Sequence, residues 1–66
     1  MRAVRLLRQI LGVGQADLAR RAGVSRRALA RIESGESHPQ QETAQELDRA
    51  FDEVIDQRAA AKAALE

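Results

Sequence analysis

The sequence predicts an all-α fold, a single domain of four to five helices with a long helix at its C-terminal end. The composition favours helix, because Ala, Leu and Arg are abundant while the 66 residues hold one Pro and four Gly. Apolar residues also recur at spacings of three and four along most of the chain, which places them on one helix face. A chain of this length forms one small domain with a modest core, so we expect residues 1–66 to form a single domain.

The sequence contains no cysteine and no long apolar run, which limits how the core can be stabilised and where in the cell we expect the protein. Without Cys, neither a disulfide nor a thiolate–metal site can support so small a core. A second protein chain is the remaining common source of support. No apolar run approaches the roughly 20 residues of a membrane span, and no secretion signal is visible, so we expect a cytoplasmic protein without membrane contact.

The first helix is predicted over Arg2 to Leu11. Its apolar residues fall into two adjacent stripes, Val4, Leu7 and Leu11 in one and Ala3, Leu6 and Ile10 in the other. Because the two stripes cover more than half of the helix surface, this helix is either deeply buried or covered by a partner along one stripe. Gly12 is expected to end it.

Two short helices joined by one turn follow, over about Gln15 to Arg21 and Arg26 to Ser34. Gly23 stands where the first of them must end, since glycine readily takes the left-handed conformation that ends helices. Ser25 precedes the second as an N-cap, where its hydroxyl can accept a hydrogen bond from a free backbone N–H. Ala19 is small and lets the second helix approach the first closely.

The last helix is predicted over about residues 41–64, either straight or bent. We expect its first part, up to Phe51, to close the core and its second part to meet a second copy of the chain. The predicted dimer contacts are Phe51, Val54, Ile55, Arg58, Ala61 and Leu65. This seam is too short and too weakly apolar to predict a coiled coil. The alternative is a tail that frays beyond about Gln57.

The segment from Gln15 to Gly35 strongly resembles the helix-turn-helix of the Cro and phage-repressor family of DNA-binding proteins. The matching positions are Gln15, Leu18, Ala19, Gly23, Val24, Ser25, Leu29, Ile32, Glu33 and Gly35, with Leu7, Arg8, Gly12 and Val13 upstream and Pro39 downstream. The likeness spans roughly Ala3 to Phe51 and implies a lambda-repressor-like helix-turn-helix bundle. The chain departs from the family at Gly14, where Ser or Thr usually caps the second helix. It also continues after Phe51, where the family usually breaks with Leu-Gly.

The resemblance implies roles for the residues of the helix-turn-helix. It places the recognition helix, Arg26 to Ser34, in the major groove of DNA. Base contacts are then expected from Arg26, Arg27, Ala28 and Arg31, and phosphate contacts from Gln15, Ser25 and Ser34. Arginine favours paired hydrogen bonds to guanine O6 and N7, so we expect G·C pairs at several positions of the DNA site. The resemblance also pairs Arg8 with Glu33 as a structural ion pair, and a solvent-exposed Arg8 is the alternative.

Charge is distributed unevenly along the chain. Residues 1–35 carry eight Arg and two acidic residues, whereas residues 36–66 carry three basic and eight acidic residues. The net charge of +1 conceals this division. A one-sided positive field suits a polyanion, and it falls on the helix-turn-helix, although an ordinary solvated face is the alternative.

These features predict a sequence-specific regulator of transcription that binds double-stranded DNA, a repressor acting as a homodimer on a palindromic site in the nucleoid. The alternative is an antitoxin or another module that holds a protein partner through its acidic C-terminal helix. An enzyme is not expected, because the chain has no Cys, one His and no Gly-rich phosphate loop. The lone His38 lacks the partners of a metal site, and we expect no metal, cofactor or small-molecule effector. Single-strand binding is disfavoured because Phe51 is the only aromatic residue and belongs to the predicted core.

Overall fold

The chain folds into four α-helices, and the computed structural model describes residues 2–65, with side chains for residues 3–65. The helices are α1 (Arg2–Leu11), α2 (Gln15–Ala22), α3 (Arg26–Ser34) and α4 (Gln41–Leu65). Residues 2–65 contain no strand. The predicted all-α bundle with a long C-terminal helix is confirmed, and it has four helices because the last one runs without a break over 25 residues.

The turn between α2 and α3 follows from its sequence. Gly23 has a φ of 70°, the left-handed conformation expected of it. The Gly23 N–H donates to Arg20 O at 3.2 Å, and the Val24 N–H donates to Ala19 O at 3.0 Å. These two bonds use the backbone carbonyls that the end of a helix leaves free. Ser25 then caps α3, since its hydroxyl oxygen accepts from the Ala28 N–H at 3.0 Å.

The core lies where α2 crosses α4 and α3. Leu18 and Leu29, one from each helix of the helix-turn-helix, are fully buried at its centre. Ala50 on α4 is also fully buried, so a small side chain lets α2 approach α4 closely. The other buried apolar residues are Val4, Val13, Ala19, Ala22, Ile32, Leu47, Phe51 and Val54.

The predicted dimer surface on α4 differs from the surface that the structure exposes. Phe51 and Val54 are only 5 % exposed and belong to the core of the single chain, so their assignment to a dimer surface is wrong. The physical reason is the crossing with α2, which continues to Val54 instead of stopping at Phe51. Ile55 is exposed, and every residue from there to Leu65 is exposed as well. We call this stretch, residues 55–65, the α4 tail.

Across residues 2–65, no helix combines the length and the apolar character that spanning a bilayer requires.

Candidate nucleic-acid interface

The third helix turns its charged side away from the core. Leu29 and Ile32 are buried, which fixes the rotation of α3 about its axis. Arg26, Arg27 and Arg31 are exposed on the remaining surface. Arg27 and Arg31 are four residues apart and therefore lie one above the other on the same face. Ala28, which the sequence also placed against bases, is half-buried.

The C-terminal end of α3 is fastened to α1 by the expected ion pair of Arg8 and Glu33. Arg8 Nε donates to Glu33 Oε2 at 2.9 Å, and Arg8 Nη2 donates to Glu33 Oε1 at 2.9 Å. The exposed fractions of the two side chains are 16 % and 4 %, so the carboxylate is the more buried partner. The hydrogen bond to Glu33 raises the pKa of the Arg8 guanidinium, against the opposing effect of burial. Arg8 Nη1 also donates to Val13 O at 3.1 Å, so the loop after α1 takes part in the same set of contacts. We call this set of contacts around Arg8 and Glu33 the joint.

Gln15 extends this joint to the N-terminal end of α3. Its Nε2 donates to Glu33 Oε1 at 3.4 Å, and its Oε1 accepts from Arg26 Nε at 3.3 Å. An amide nitrogen carries two protons, so Gln15 retains one for a ligand at the positive end of the α2 dipole. Gln15, the first residue of α2, therefore contacts both ends of α3 and is itself half-buried.

The two serines expected at phosphates differ in the state of their hydroxyl protons. Ser25 uses its oxygen as an acceptor for the N-cap bond, which leaves its proton available for a phosphate oxygen. Ser34 instead donates its proton to Arg31 O at 3.1 Å. A phosphate contact from Ser34 therefore requires its side chain to rotate away from the helix carbonyl. Of the two, Ser25 is the better prepared.

Arg31 has an acidic neighbour that the sequence did not suggest. Glu36 Oε2 lies 3.9 Å from Arg31 Nε, in the loop that follows α3. Both side chains are more than half exposed, so the pair is strongly screened by water. Arg31 is thus free to exchange this carboxylate for a nucleic-acid acceptor.

A chain of ion pairs joins α2 to α4 on a different surface. Arg21 Nη1 donates to Glu53 Oε1 at 2.8 Å and Arg21 Nε donates to Asp17 Oδ1 at 3.1 Å. Arg49 donates to Glu46 Oε2 at 2.6 Å and to Arg21 O at 3.1 Å, and its hydrogen bond to Glu46 raises the pKa of Arg49. Sequence reasoning counted Arg21 only as part of a basic half. The spacing of Asp17 and Arg21, four apart on a helix, was the available signal.

The described residues contain no group suited to holding a metal ion. Among residues 2–65, no three His, Cys, Asp or Glu side chains are grouped so as to hold a metal ion. The described features of this surface are α3, which the ion pair of Arg8 and Glu33 attaches to α1, and the exposed arginines of α3.

Comparison with protein families agrees with this arrangement. A family model described as helix-turn-helix, of the Cro and phage-repressor type, matches residues 4–54. The match covers most of the chain, so the protein belongs to this helix-turn-helix family of DNA-binding regulators. Comparison with curated proteins and with solved structures gives no significant match.

Proposed function

We propose that the protein is a sequence-specific repressor of transcription that binds double-stranded DNA as a homodimer in the cytoplasm. The observation that carries the proposal is α3 itself: its apolar face is locked in the core while Arg26, Arg27 and Arg31 are exposed on the other side. An α-helix fits the major groove of B-form DNA, and the N-terminal residues of a recognition helix meet the base edges.

The three arginines of α3 and Ala28 each have a proposed part in reading the DNA. Arg27 and Arg31 bind guanines through O6 and N7, and Arg26 divides its contacts between base and backbone. The methyl group of Ala28 contacts a thymine methyl group. The joint of Arg8, Glu33 and Gln15 supports this proposal, because a base contact discriminates only when its helix is held in one orientation.

The phosphate contacts are proposed near both ends of α3. Gln15 donates its second amide proton, and Ser25 its hydroxyl proton, to backbone oxygens next to the N-terminal ends of α2 and α3. Ser34 contributes a third contact after rotation of its side chain. These contacts set the register of the helix on the duplex, while the arginines supply the base preference.

A homodimer doubles the number of bases read, which one domain of this size needs for a specific site. Of the expected dimer contacts, Ile55, Arg58, Ala61 and Leu65 remain exposed in the single chain. Arg58 is held within its own chain, where Nη2 donates to Leu11 O. Repression follows from occupancy, because a dimer bound across a promoter excludes the polymerase.

The proposal is tested by selecting bound duplexes from a random DNA pool with the wild-type protein and with Arg27→Ala and Arg31→Ala. We expect a two-fold symmetric consensus with guanines that lose definition in each variant. Arg20→Ala is the matched control, since it removes an equal charge from an exposed residue of α2 outside the recognition helix. Enrichment of no sequence, with binding that disappears at moderate salt, would reduce the protein to a phosphate binder and contradict the proposal.

A second candidate function is favoured by the exposed α4 tail, which is available to a partner protein. In that case the chain is an antitoxin or a related module that holds its partner through α4. A partner that co-purifies at fixed stoichiometry and is lost on removal of residues 55–65 would support this function. Such a complex is compatible with DNA binding by α3.

A further inference from the structure

A groove of about 660 Å³ lies between α1 and the end of α3. Its lining consists of Ala3, Arg5, Leu6, Gln9, Glu33 and Ser34. Arg5 and Gln9 are four residues apart and therefore lie on one face of α1. Both are exposed, as is Ser34 on the α3 side of the groove. The groove thus offers a guanidinium, an amide and a hydroxyl group from two helices, and we call it the α1 groove.

The net charge of the α1 groove is that of Arg5. Glu33 is the carboxylate of the lining, and its oxygens accept from Arg8 Nε and Arg8 Nη2, each at 2.9 Å. Gln15 Nε2 donates to the same carboxylate at 3.4 Å. The charge of Glu33 is therefore matched by that of Arg8, which leaves the Arg5 guanidinium as the uncompensated cation. Such a groove attracts an anion.

Arg5 also differs from most arginines of this chain in having no partner within the domain. All but two of the arginines whose side chains the structure describes are paired with a carboxylate, an amide or a backbone carbonyl. Within residues 3–65, Arg5 and Arg27 are the arginines whose side chains form no hydrogen bond or ion pair. Arg27 is already a proposed base contact. Arg5 can likewise bind an anion without first giving up a bond within the protein.

The α1 groove lies at one end of the exposed face of α3. Arg27, Arg31 and Ser34 follow one another at spacings of four and three, so they form one row along α3. Ser34, the last of this row, belongs to the lining of the groove. A duplex that follows the row from Arg27 therefore reaches Arg5 beyond Ser34. Ser25 caps the other end of α3, about 13 Å away along the helix axis, so one phosphate cannot serve both ends.

We propose that the α1 groove binds a phosphate of the DNA backbone next to the end of α3. Arg5 supplies the charge through its guanidinium N–H groups, and the Gln9 amide donates a further hydrogen bond. Ser34 adds its hydroxyl proton once it turns away from Arg31 O, to which it donates at 3.1 Å. The apolar part of the lining contacts the neighbouring deoxyribose. Together with the contacts proposed at the start of α3, this site holds the duplex at both ends of the recognition helix.

The proposal rests on the proposed function, because it takes α3 to be the helix that reads DNA. Its test compares Arg5→Gln with Lys62→Gln on a duplex that carries the selected site. Lys62 is the matched control, since it is exposed on the α4 tail and its side chain also has no partner among residues 3–65. We expect Arg5→Gln to weaken binding several-fold with unchanged base preference and unchanged helix content, whereas Lys62→Gln binds as the wild type does.

The salt dependence of binding separates a phosphate contact from a merely structural role. Arg5→Gln should reduce the slope of log affinity against log salt concentration by about one, because one phosphate contact is lost. Arg5→Lys should recover most of that slope, since it keeps the charge.

Neutral methylphosphonates, placed one at a time in the duplex, identify the phosphate itself. At one position we expect the replacement to weaken wild-type binding by about tenfold and to weaken Arg5→Gln binding much less. This position should differ from the one where Ser25→Ala shows the corresponding loss of sensitivity, because Ser25 caps the opposite end of α3.

Either of two results would overturn the inference. One is a loss of affinity and of salt slope in Arg5→Gln that is no larger than in Lys62→Gln. The other is a pattern of methylphosphonate effects that is the same in the wild-type protein and in Arg5→Gln. On a duplex with a selected consensus, each of these results removes the phosphate site in the α1 groove and leaves the proposed function standing. A wild-type protein that selects no sequence would overturn both.

Discussion

Arg8 on α1 and Glu33 at the end of α3 share two N–H···O bonds, each 2.9 Å long, across the domain. The pair is unequal, because Glu33 is almost fully buried while Arg8 retains some contact with water. A buried pair of this kind spends much of its attraction on desolvation. Its main effect is therefore to fix the end of α3 relative to α1. Gln15 forms hydrogen bonds with both Glu33 and Arg26, so the start of α3 is held to the same residues.

Because Glu33 is more deeply buried than Arg8, we expect the two single variants to lose different amounts of stability. Arg8→Met should lower the free energy of unfolding by about 3 kcal/mol, since it leaves a buried carboxylate without its partner. Glu33→Leu should cost less, because Arg8 can turn toward water. The double variant should be more stable than the sum of the two losses predicts. Because the pKa of Arg8 is raised, its share of the stabilisation is present at neutral pH and is lost only as the pH rises through that raised value.

Urea denaturation of all four proteins, with the same added sucrose to keep the weakest folded, measures the coupling. Additive losses would contradict a direct interaction between Arg8 and Glu33.

Gly14 and Gly23 flank α2, and we expect substitutions at these two positions to change the stability of the protein in opposite directions. Gly23→Ala should destabilise the protein by about 1 kcal/mol, because its positive φ is unfavourable for a side chain although no atom lies within 4 Å of the new methyl group. Gly14→Ser should stabilise it by a few tenths of a kcal/mol, because Gly14 forms no side-chain cap and serine would supply one. Thermal unfolding of both variants checks this. Equal effects of the two would refute the conformational explanation.

The two roles of Ser25 can be separated by two substitutions. Ser25→Ala removes the cap of α3 and should cost about 1 kcal/mol of stability together with some DNA affinity. Ser25→Asp retains a capping oxygen and should keep the stability, while its charge repels phosphate and lowers the affinity. Stability by denaturation and affinity by fluorescence anisotropy are measured on the same samples. Tight DNA binding by Ser25→Asp would remove Ser25 from the phosphate contacts.

Glu36 is predicted to oppose DNA binding. Its carboxylate lies 3.9 Å from Arg31 Nε and would stand near the phosphates when α3 enters the groove. Glu36→Gln should therefore raise DNA affinity several-fold at low salt, with a smaller gain as salt screens the charge. Asp48→Asn removes an exposed carboxylate from α4 and is the matched control. A gain of equal size in both variants would mean that only net charge matters.

Helix bounds were largely predictable because local signals and apolar spacing agree in this chain. Gly23 and Ser25 end and begin helices through their own backbone and hydroxyl chemistry, so the turn between α2 and α3 follows from residues 23–25. The ion pair of Arg8 and Glu33 was expected only through the family resemblance. Nothing in the local sequence brings together two residues that are 25 positions apart.

The side of α4 that faces the core was less predictable. Spacing alone places Phe51, Val54 and Ile55 close together on the helix, and it does not say where the crossing with α2 ends. The structure buries the first two and exposes the third, and Ala50, whose small side chain is fully buried, lets α2 pack close to α4. The Gln15 bond to Arg26 was equally hidden, since it depends on the angle between two helices.

Direct reading of guanines by the arginines of α3 is tested by replacing single guanines of the selected site with 7-deazaguanine, which lacks the N7 acceptor. Affinities are measured for the wild-type protein and for Arg27→Ala on both duplexes at one salt concentration. We expect one such replacement to weaken wild-type binding by about tenfold and to leave the Arg27→Ala affinity unchanged. An equal loss in both proteins at every guanine, or no loss in either, would contradict direct readout by Arg27.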